Sequence, residues 1–149
     1  MKQGPPQFRR PESVLVVVYT GNADILLLHR VKPFAFWQSV TGSLRPRESH
    51  AQAAARELAE ETGIESALSL EFSGNSREFE IDPRWRHRFA PGTTTNTEYE
   101  WRLRLPGIVD IRLDPAEHSD FRWLPIDAAI DAVWSWTNRE ALDALRNAL

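Results

Sequence analysis

Val14 to Tyr19 (VLVVVY) is an unbroken apolar run rich in β-branched residues, the pattern of a buried strand. Thr20-Gly21-Asn22-Ala23-Asp24 is turn chemistry, and Ile25 to Arg30 (ILLLHR) pairs back as a hairpin partner. Phe34 to Val40 (FAFWQSV) is aromatic and ends on a Thr41-Gly42 turn. The period then changes. Between Ser49 and Gly63, Glu57, Glu60 and Glu61 fall within an arc of roughly 100° on a helix, and Ala51, Ala54, Ala55, Leu58 and Ala59 take the other side. Small alanines let that side lie close to a sheet. Ser49 caps this helix, Gln52 completes a capping box, and Gly63 suits the left-handed stop past its last turn.

Residues 68–82 alternate loosely and predict one long or two short strands, with Gly74-Asn75 as the break. Pro83 to Thr97 is a loop by composition, and it carries Arg84, Arg86, His87 and Arg88 beside Trp85 and Phe89. Glu98 to Leu105 alternates cleanly and is a strand, and Ile108 to Leu113 is a further candidate. Asp114 to Ser119 is a turn, and Phe121 to Leu124 a short strand. Pro125-Ile126-Asp127 starts a helix near Ala128–Val133. Asn138 caps a final helix, Arg139 to Ala148, with Ala141, Leu142, Leu145 and Leu149 as its apolar stripe. Residues 1–12 form a polar, Pro-rich lead-in in which Arg9 and Arg10 read as solvated charges. Trp101 and Trp123 sit in strand patterns and read as packing. No repeat or boundary interrupts the chain, so residues 1–149 predict one α/β or α+β domain around a mixed sheet.

Composition narrows the function. A net charge of −3 and a pI near 5.8 argue against a nucleic-acid polymer as partner. The chain has no cysteine, which excludes disulfides and thiol catalysis. No apolar run approaches the roughly 20 residues that span a bilayer, and no signal core is visible, so the expectation is a cytoplasmic protein with no membrane partner.

The acidic helix carries the candidate chemistry. Acids at i, i+3 and i+4 repel one another by about a few tenths of a kcal/mol per pair, and Glu57, Glu60 and Glu61 also crowd the helix end where the dipole disfavours anions. Arg56 relieves part of this. A hard divalent cation relieves it directly, because such ions take oxygen ligands. A solvated acidic face is the plain alternative.

The wider spacing changes the weighing. Gly42, five residues, Glu48, seven residues, then Arg56-Glu57-Leu58-x-Glu60-Glu61-x-Gly63-Ile64 resembles the box that marks the Nudix hydrolases. That resemblance implies an α/β/α sandwich around a mixed sheet and hydrolysis of a phosphoric anhydride with Mg²⁺, for which Mn²⁺ substitutes. It implies Glu57, Glu60 and Glu61 as metal ligands, with Arg56 and Glu48 completing the catalytic set. For the last ligand or general base it leaves Glu117 and Glu98 open, with Glu117 preferred. His118, beside Glu117, reads as a solvated turn histidine, and His29 and His50 carry no function.

Three further stretches, FWQSVTGS at 36–43, REFEI to TTNTE within 77–98, and EHSDFRWL to SWTNREA within 117–141, look like the members of the family that act on dihydroneopterin triphosphate. They imply cleavage to the monophosphate and pyrophosphate, with side activity on nucleoside triphosphates such as dATP. They also imply substrate contacts at Arg9, Arg30, Thr41, Phe79, Glu80, Ile81, Asp82 and Ser135. Glu80 is the candidate acceptor for the ring's N–H edge, and Phe79 or Trp37 the stacking partner. A nucleotide-pool-sanitising (d)NTP pyrophosphohydrolase is the competing reading, and a non-catalytic nucleotide-binding module a third. The expected partner is a small-molecule triphosphate, and the chain a monomer or homodimer.

Overall fold

The computed structural model describes residues 7–65 and 67–149. The first half of the expected lead-in therefore lies outside the described residues. The chain runs β1 Glu12–Thr20, β2 Asp24–Arg30, β3 Phe36–Gln38, β4 Val40–Ser43, α1 His50–Thr62, β5 Leu70–Glu80, β6 Thr95–Leu105, β7 Asp120–Pro125, α2 Ile126–Ala132 and α3 Trp136–Ala148. The seven strands form one mixed sheet. β1 lies at its centre. It runs parallel to β6 along its whole length, antiparallel to β4 over its first half, and meets β2 at Tyr19↔Ile25.

A central strand with helices on both faces must be apolar on both sides. Val14, Val16 and Val18 face α1, where Ala53, Ala54 and Leu58 pack on them. Leu15 and Val17 face the other way, onto Ala129, Ile130, Leu142 and Leu145 of α2 and α3. The result is the α/β/α sandwich that the pattern admits but does not by itself select. Trp101 and Trp123 pack in the α1-side core, as their strand positions predict.

Several local expectations hold. Ser49 and Gln52 form the capping box, and Gly63 ends α1 at φ 76°. The Gly74-Asn75 break is a bulge within a single strand, between Phe72 and Ser76.

Others are corrected. Thr41 and Gly42 are not a turn but the middle of β4, because they pair with Leu15 and Val14. Ile108–Leu113 forms no strand. Ile111 and Leu113 instead pack on the α1-side core from an irregular segment, and Arg112 N–H donates to Thr62 O past the end of α1. β6 begins at Thr95, so the cationic loop is shorter than expected. Ser135 rather than Asn138 caps α3, its hydroxyl accepting from the Asn138 N–H. Leu149 is exposed and outside the stripe. On α1 the buried alanines are Ala53 and Ala54, with Ala51 exposed. Arg10 is no free tail charge. Its guanidinium donates to the carbonyls of Arg45 (2.8 Å) and Glu48 (2.9 Å) and pairs with Glu12, which fastens the loop ahead of α1.

Candidate active site

β1, β4, β6, the N-terminus of α3 and the 82–89 loop surround a cleft of about 830 Å³. Arg9, Arg30, Thr41, Glu57, Glu60, Phe79, Glu80, Ile81, Asp82, Glu117 and Ser135 all line it. Residues far apart in sequence thus meet at one surface. Trp37 is excluded. It lies against His29 with ring centroids 4.6 Å apart, under the Arg122 guanidinium, and packs with the core beneath α2 and α3.

Arg56 organises the acidic end. Its Nε and Nη2 fork onto both oxygens of Glu48 at 2.8 Å, Nη1 donates to Glu57 Oε1 at 2.7 Å and Glu60 Oε2 at 3.3 Å, and Nη2 also reaches Ser43 O. Glu48 Oε1 accepts the Arg45 N–H as well. Two planar, charge-assisted bonds fix Glu48 strongly. The Arg56 guanidinium holds its carboxyl down at about 2, and the guanidinium's own pKa rises in return. Glu48 faces inward onto Arg56 and is absent from the cleft lining. Glu60 is half exposed and shared between Arg56 and Arg45. Gly42 carries no side chain because none fits. A Cβ there would overlap the Glu57 carboxyl group.

Glu61 receives nothing from Arg56. It is 2% exposed, and neither carboxylate oxygen has a hydrogen-bond partner among the described residues. Burial, then the adjacent Glu57 and the charge of Glu117, push its carboxyl well above the ordinary range, with the Thr41 N–H acting the other way, and burial raises Glu57 against Glu61 and Arg56. An ionised carboxylate cannot stay in such a place uncompensated. Glu61, Glu117 and His118 bring ligand-type atoms within 4.8 Å of one another. Two carboxylates, one buried and unpartnered, are the donor set a hard divalent cation takes.

His118 is a correction: it is 1% exposed, not solvated. The Gln38 amide nitrogen lies 3.0 Å from Nε2. Donation from that amide leaves the ring proton on Nδ1, which faces Glu61 Oε1 at 3.7 Å. Burial, then the positive charge of Arg30, lower its pKa to about 4, so the imidazole is neutral at pH 7.

Three arginines, Arg9, Arg30 and Arg88, also line the cleft. Arg88 is partly buried and lowered first by that burial and then by the charges of Arg9 and Arg30. None of these three arginines has a carboxylate within ion-pair distance among the described residues. The sequence shows Arg88 only as one of the charges of its loop. Its signal was the short Arg86-His87-Arg88 run, which does not say which member turns inward. Glu80, by contrast, points outward onto Arg86, and Asp82 is held by Arg84, whose guanidinium lies 4.0 Å over the Phe34 ring.

Glu98 is outside the Glu61–Glu117–His118 group. It lines the cleft from β6, is 7% exposed, and is pushed up to about 7 by burial, against the Thr137 hydroxyl and Arg77.

The chain matches the NUDIX domain family over residues 9–145. It is 41% identical to the dihydroneopterin triphosphate diphosphatase of Escherichia coli K12 over 140 residues, 91% of this chain and 92% of the relative. The enzyme of that name from Haemophilus influenzae is 37% identical over 142 residues, 91% and 87% of the two chains. The solved structure of the E. coli dihydroneopterin triphosphate pyrophosphohydrolase superposes with a TM-score of 0.86 at 40% identity, covering 92% of this chain and 95% of that one.

Two outcomes are expected from this geometry. Gly42→Ala displaces the Glu57 carboxylate, and calorimetric titration with Mn²⁺ shows affinity reduced about tenfold or more; an unchanged affinity contradicts the arrangement. Glu98 has a folded pKa above its unfolded value, so its ionisation opposes folding. Stability is fully present below about pH 4.5 and declines as pH rises through about 7. Urea unfolding of Glu98→Gln matches the wild type at pH 4.5 and exceeds it at pH 8.5 by about 3 kcal/mol at most; parallel curves at both pH values contradict the shift.

Proposed function

Because this chain belongs to the NUDIX family, we propose that it hydrolyses dihydroneopterin triphosphate to the monophosphate and pyrophosphate, with dATP as a poorer substrate. Relatives of that name, alike over nine-tenths of the chain, support the substrate. The observation that carries the chemistry is Glu61, a buried carboxylate with no hydrogen-bond partner among the described residues, grouped with Glu117, which lines a cleft that Arg9, Arg30 and Arg88 also line.

The cation is Mg²⁺, with Mn²⁺ able to replace it, and Glu57, Glu61 and Glu117 hold it, with Glu60 at the exposed margin. Bound there, Mg²⁺ polarises phosphoryl oxygens and lowers the pKa of a water. The chain's own residues do the rest. Arg56 is a positioning residue. It locks Glu57 and Glu48 before substrate arrives, so no side-chain entropy is lost during the reaction. Neutral His118, its Nδ1 3.7 Å from Glu61 Oε1, adds no charge of its own to this group. Arg9, Arg30 and Arg88 bind the polyphosphate by charge-assisted hydrogen bonds. Thr41 and Ser135 supply polar contacts from the cleft lining, and Phe79, Ile81 and Asp82 contact the ring. Glu117, exposed on a turn, reaches the cation from outside α1.

Steady-state kinetics with Mg²⁺ test the reading. Dihydroneopterin triphosphate is expected to have the highest kcat/KM among itself, dATP and 8-oxo-dGTP, with pyrophosphate as product; a clear preference for the oxidised nucleotide makes the chain a nucleotide-pool enzyme instead. Glu61→Gln is expected to lower kcat by about a thousandfold and to hold or raise the unfolding midpoint, since it removes a buried charge. Near-wild-type turnover would remove the cation from this site. Arg88→Ala is expected to raise KM for the triphosphate about tenfold and to weaken inhibition by pyrophosphate in parallel. An unchanged KM would show that Arg88 does not reach the phosphates.

A further inference from the structure

β6 turns a polar row toward α3. Asn96, Glu98 and Glu100 occupy alternate positions and are all buried. Such a row needs partners, and Glu100 has them: Arg77 at 2.7 Å and Arg102 at 3.1 Å. Glu98 has no guanidinium within ion-pair distance among the described residues, although Arg77 is its cross-strand neighbour. Arg77 turns instead to Glu100 and Glu140. What Glu98 has is the Thr137 hydroxyl beside it and the cleft in front of it. One N–H of the Asn96 amide donates to Ser13 Oγ at 2.8 Å, and its carbonyl oxygen remains as an acceptor beside Glu98. Both residues line the cleft, and Phe36, Phe79, Trp85 and Trp134 line it with them.

Acceptors in a cleft that aromatic rings also line fit a flat heterocycle with N–H donors along one edge. A 2-amino-4-oxopyrimidine ring presents a ring N–H and a 2-amino group side by side, two parallel donors for the two oxygens of one carboxylate. Adenine presents a ring-nitrogen acceptor beside its amino group, and a carboxylate repels that acceptor. We infer that Glu98, from the strand beneath α3, reads the two-donor edge of the substrate's ring and selects 2-amino-4-oxo rings over 6-aminopurines. Glu80, exposed and tied to Arg86, is not that reader. Glu98 is here a specificity-determining residue. It stands apart from Glu61, Glu117 and His118, so it takes no part in the phosphorus chemistry. The inference rests on the proposed cleavage of a ring-bearing triphosphate in this cleft. It does not depend on which ring is the natural one.

The test is the steady-state kinetics of wild type and Glu98→Gln with Mg²⁺, on dihydroneopterin triphosphate, dGTP and dATP. The glutamine keeps the size but offers one donor and one acceptor. Expected is a loss on the order of ten- to hundredfold in kcat/KM for the two 2-amino-4-oxo substrates, seen in KM. Turnover of dATP is expected to stay level or rise, because the new amide donor meets the ring acceptor. An equal loss on all three substrates would make Glu98 a catalytic or structural group, and no change on any would place the ring elsewhere; either overturns the inference. Should the variant fail to fold, wild type supplies the same readout. dITP, which lacks only the 2-amino group of dGTP, is expected to lose about tenfold, and equal turnover of the two overturns the assignment. If dihydroneopterin triphosphate is not cleaved but dGTP outruns dITP and dATP, the substrate proposal falls and the edge reader stands.

Discussion

One uncompensated charge governs this site. Glu61 lies in the sheet–helix interface with neither oxygen hydrogen-bonded, while its neighbours on α1 are bound tightly to Arg56. Burial alone would drive such a group to take up a proton or a cation. The charges of Glu57 and Glu117 beside it add to that pressure. The rest of the acidic end exists in a fixed state before any ligand arrives. Arg56 spans Glu48, Glu57, Glu60 and the Ser43 carbonyl, and Gly42 gives way so that Glu57 can lie against β4.

The sheet is what assembles the cleft. The parallel β1–β6 pairing sets Ser13 beside Glu98, and the antiparallel β1–β4 pairing sets Thr41 and Gly42 beside Leu15 and Val14. Glu117 and His118 arrive from the turn before β7, whose N-terminal residue pairs with His29. Arg10 closes the arrangement from outside by holding the carbonyls of the loop that precedes α1. The charged half of the cleft thus draws on residues from the first strand to the last, with α1 as its most rigid wall.

The cleft joins two chemistries. Arg9, Arg30 and Arg88 line it together with Glu57 and Glu60, and the mutual repulsion of the guanidiniums is only partly offset by Glu117. A polyanion with a cation relieves both sets of charges at once. Phe36, Phe79, Trp85 and Trp134 line the same cleft with the buried acceptor Glu98, so a ring and a phosphate chain each find matching groups.

The local periods of the chain determined its strands, the cap and stop of α1, and the spacing of Glu57, Glu60 and Glu61, because these depend on neighbours within one turn or one strand. The box spacing also carried the family. Only the tertiary structure decided which of three similar glutamates is buried, because that depends on where β4 and the 114–119 turn approach α1. It moved His118 from the surface into the site, Trp37 out of it, and Arg88 inward from a run of like charges. It also separated Glu98 from Glu117, the preferred acid of two that the resemblance left open for one role. A side chain's partners across a sheet are set by register and by helices packed from elsewhere, and no local pattern records them.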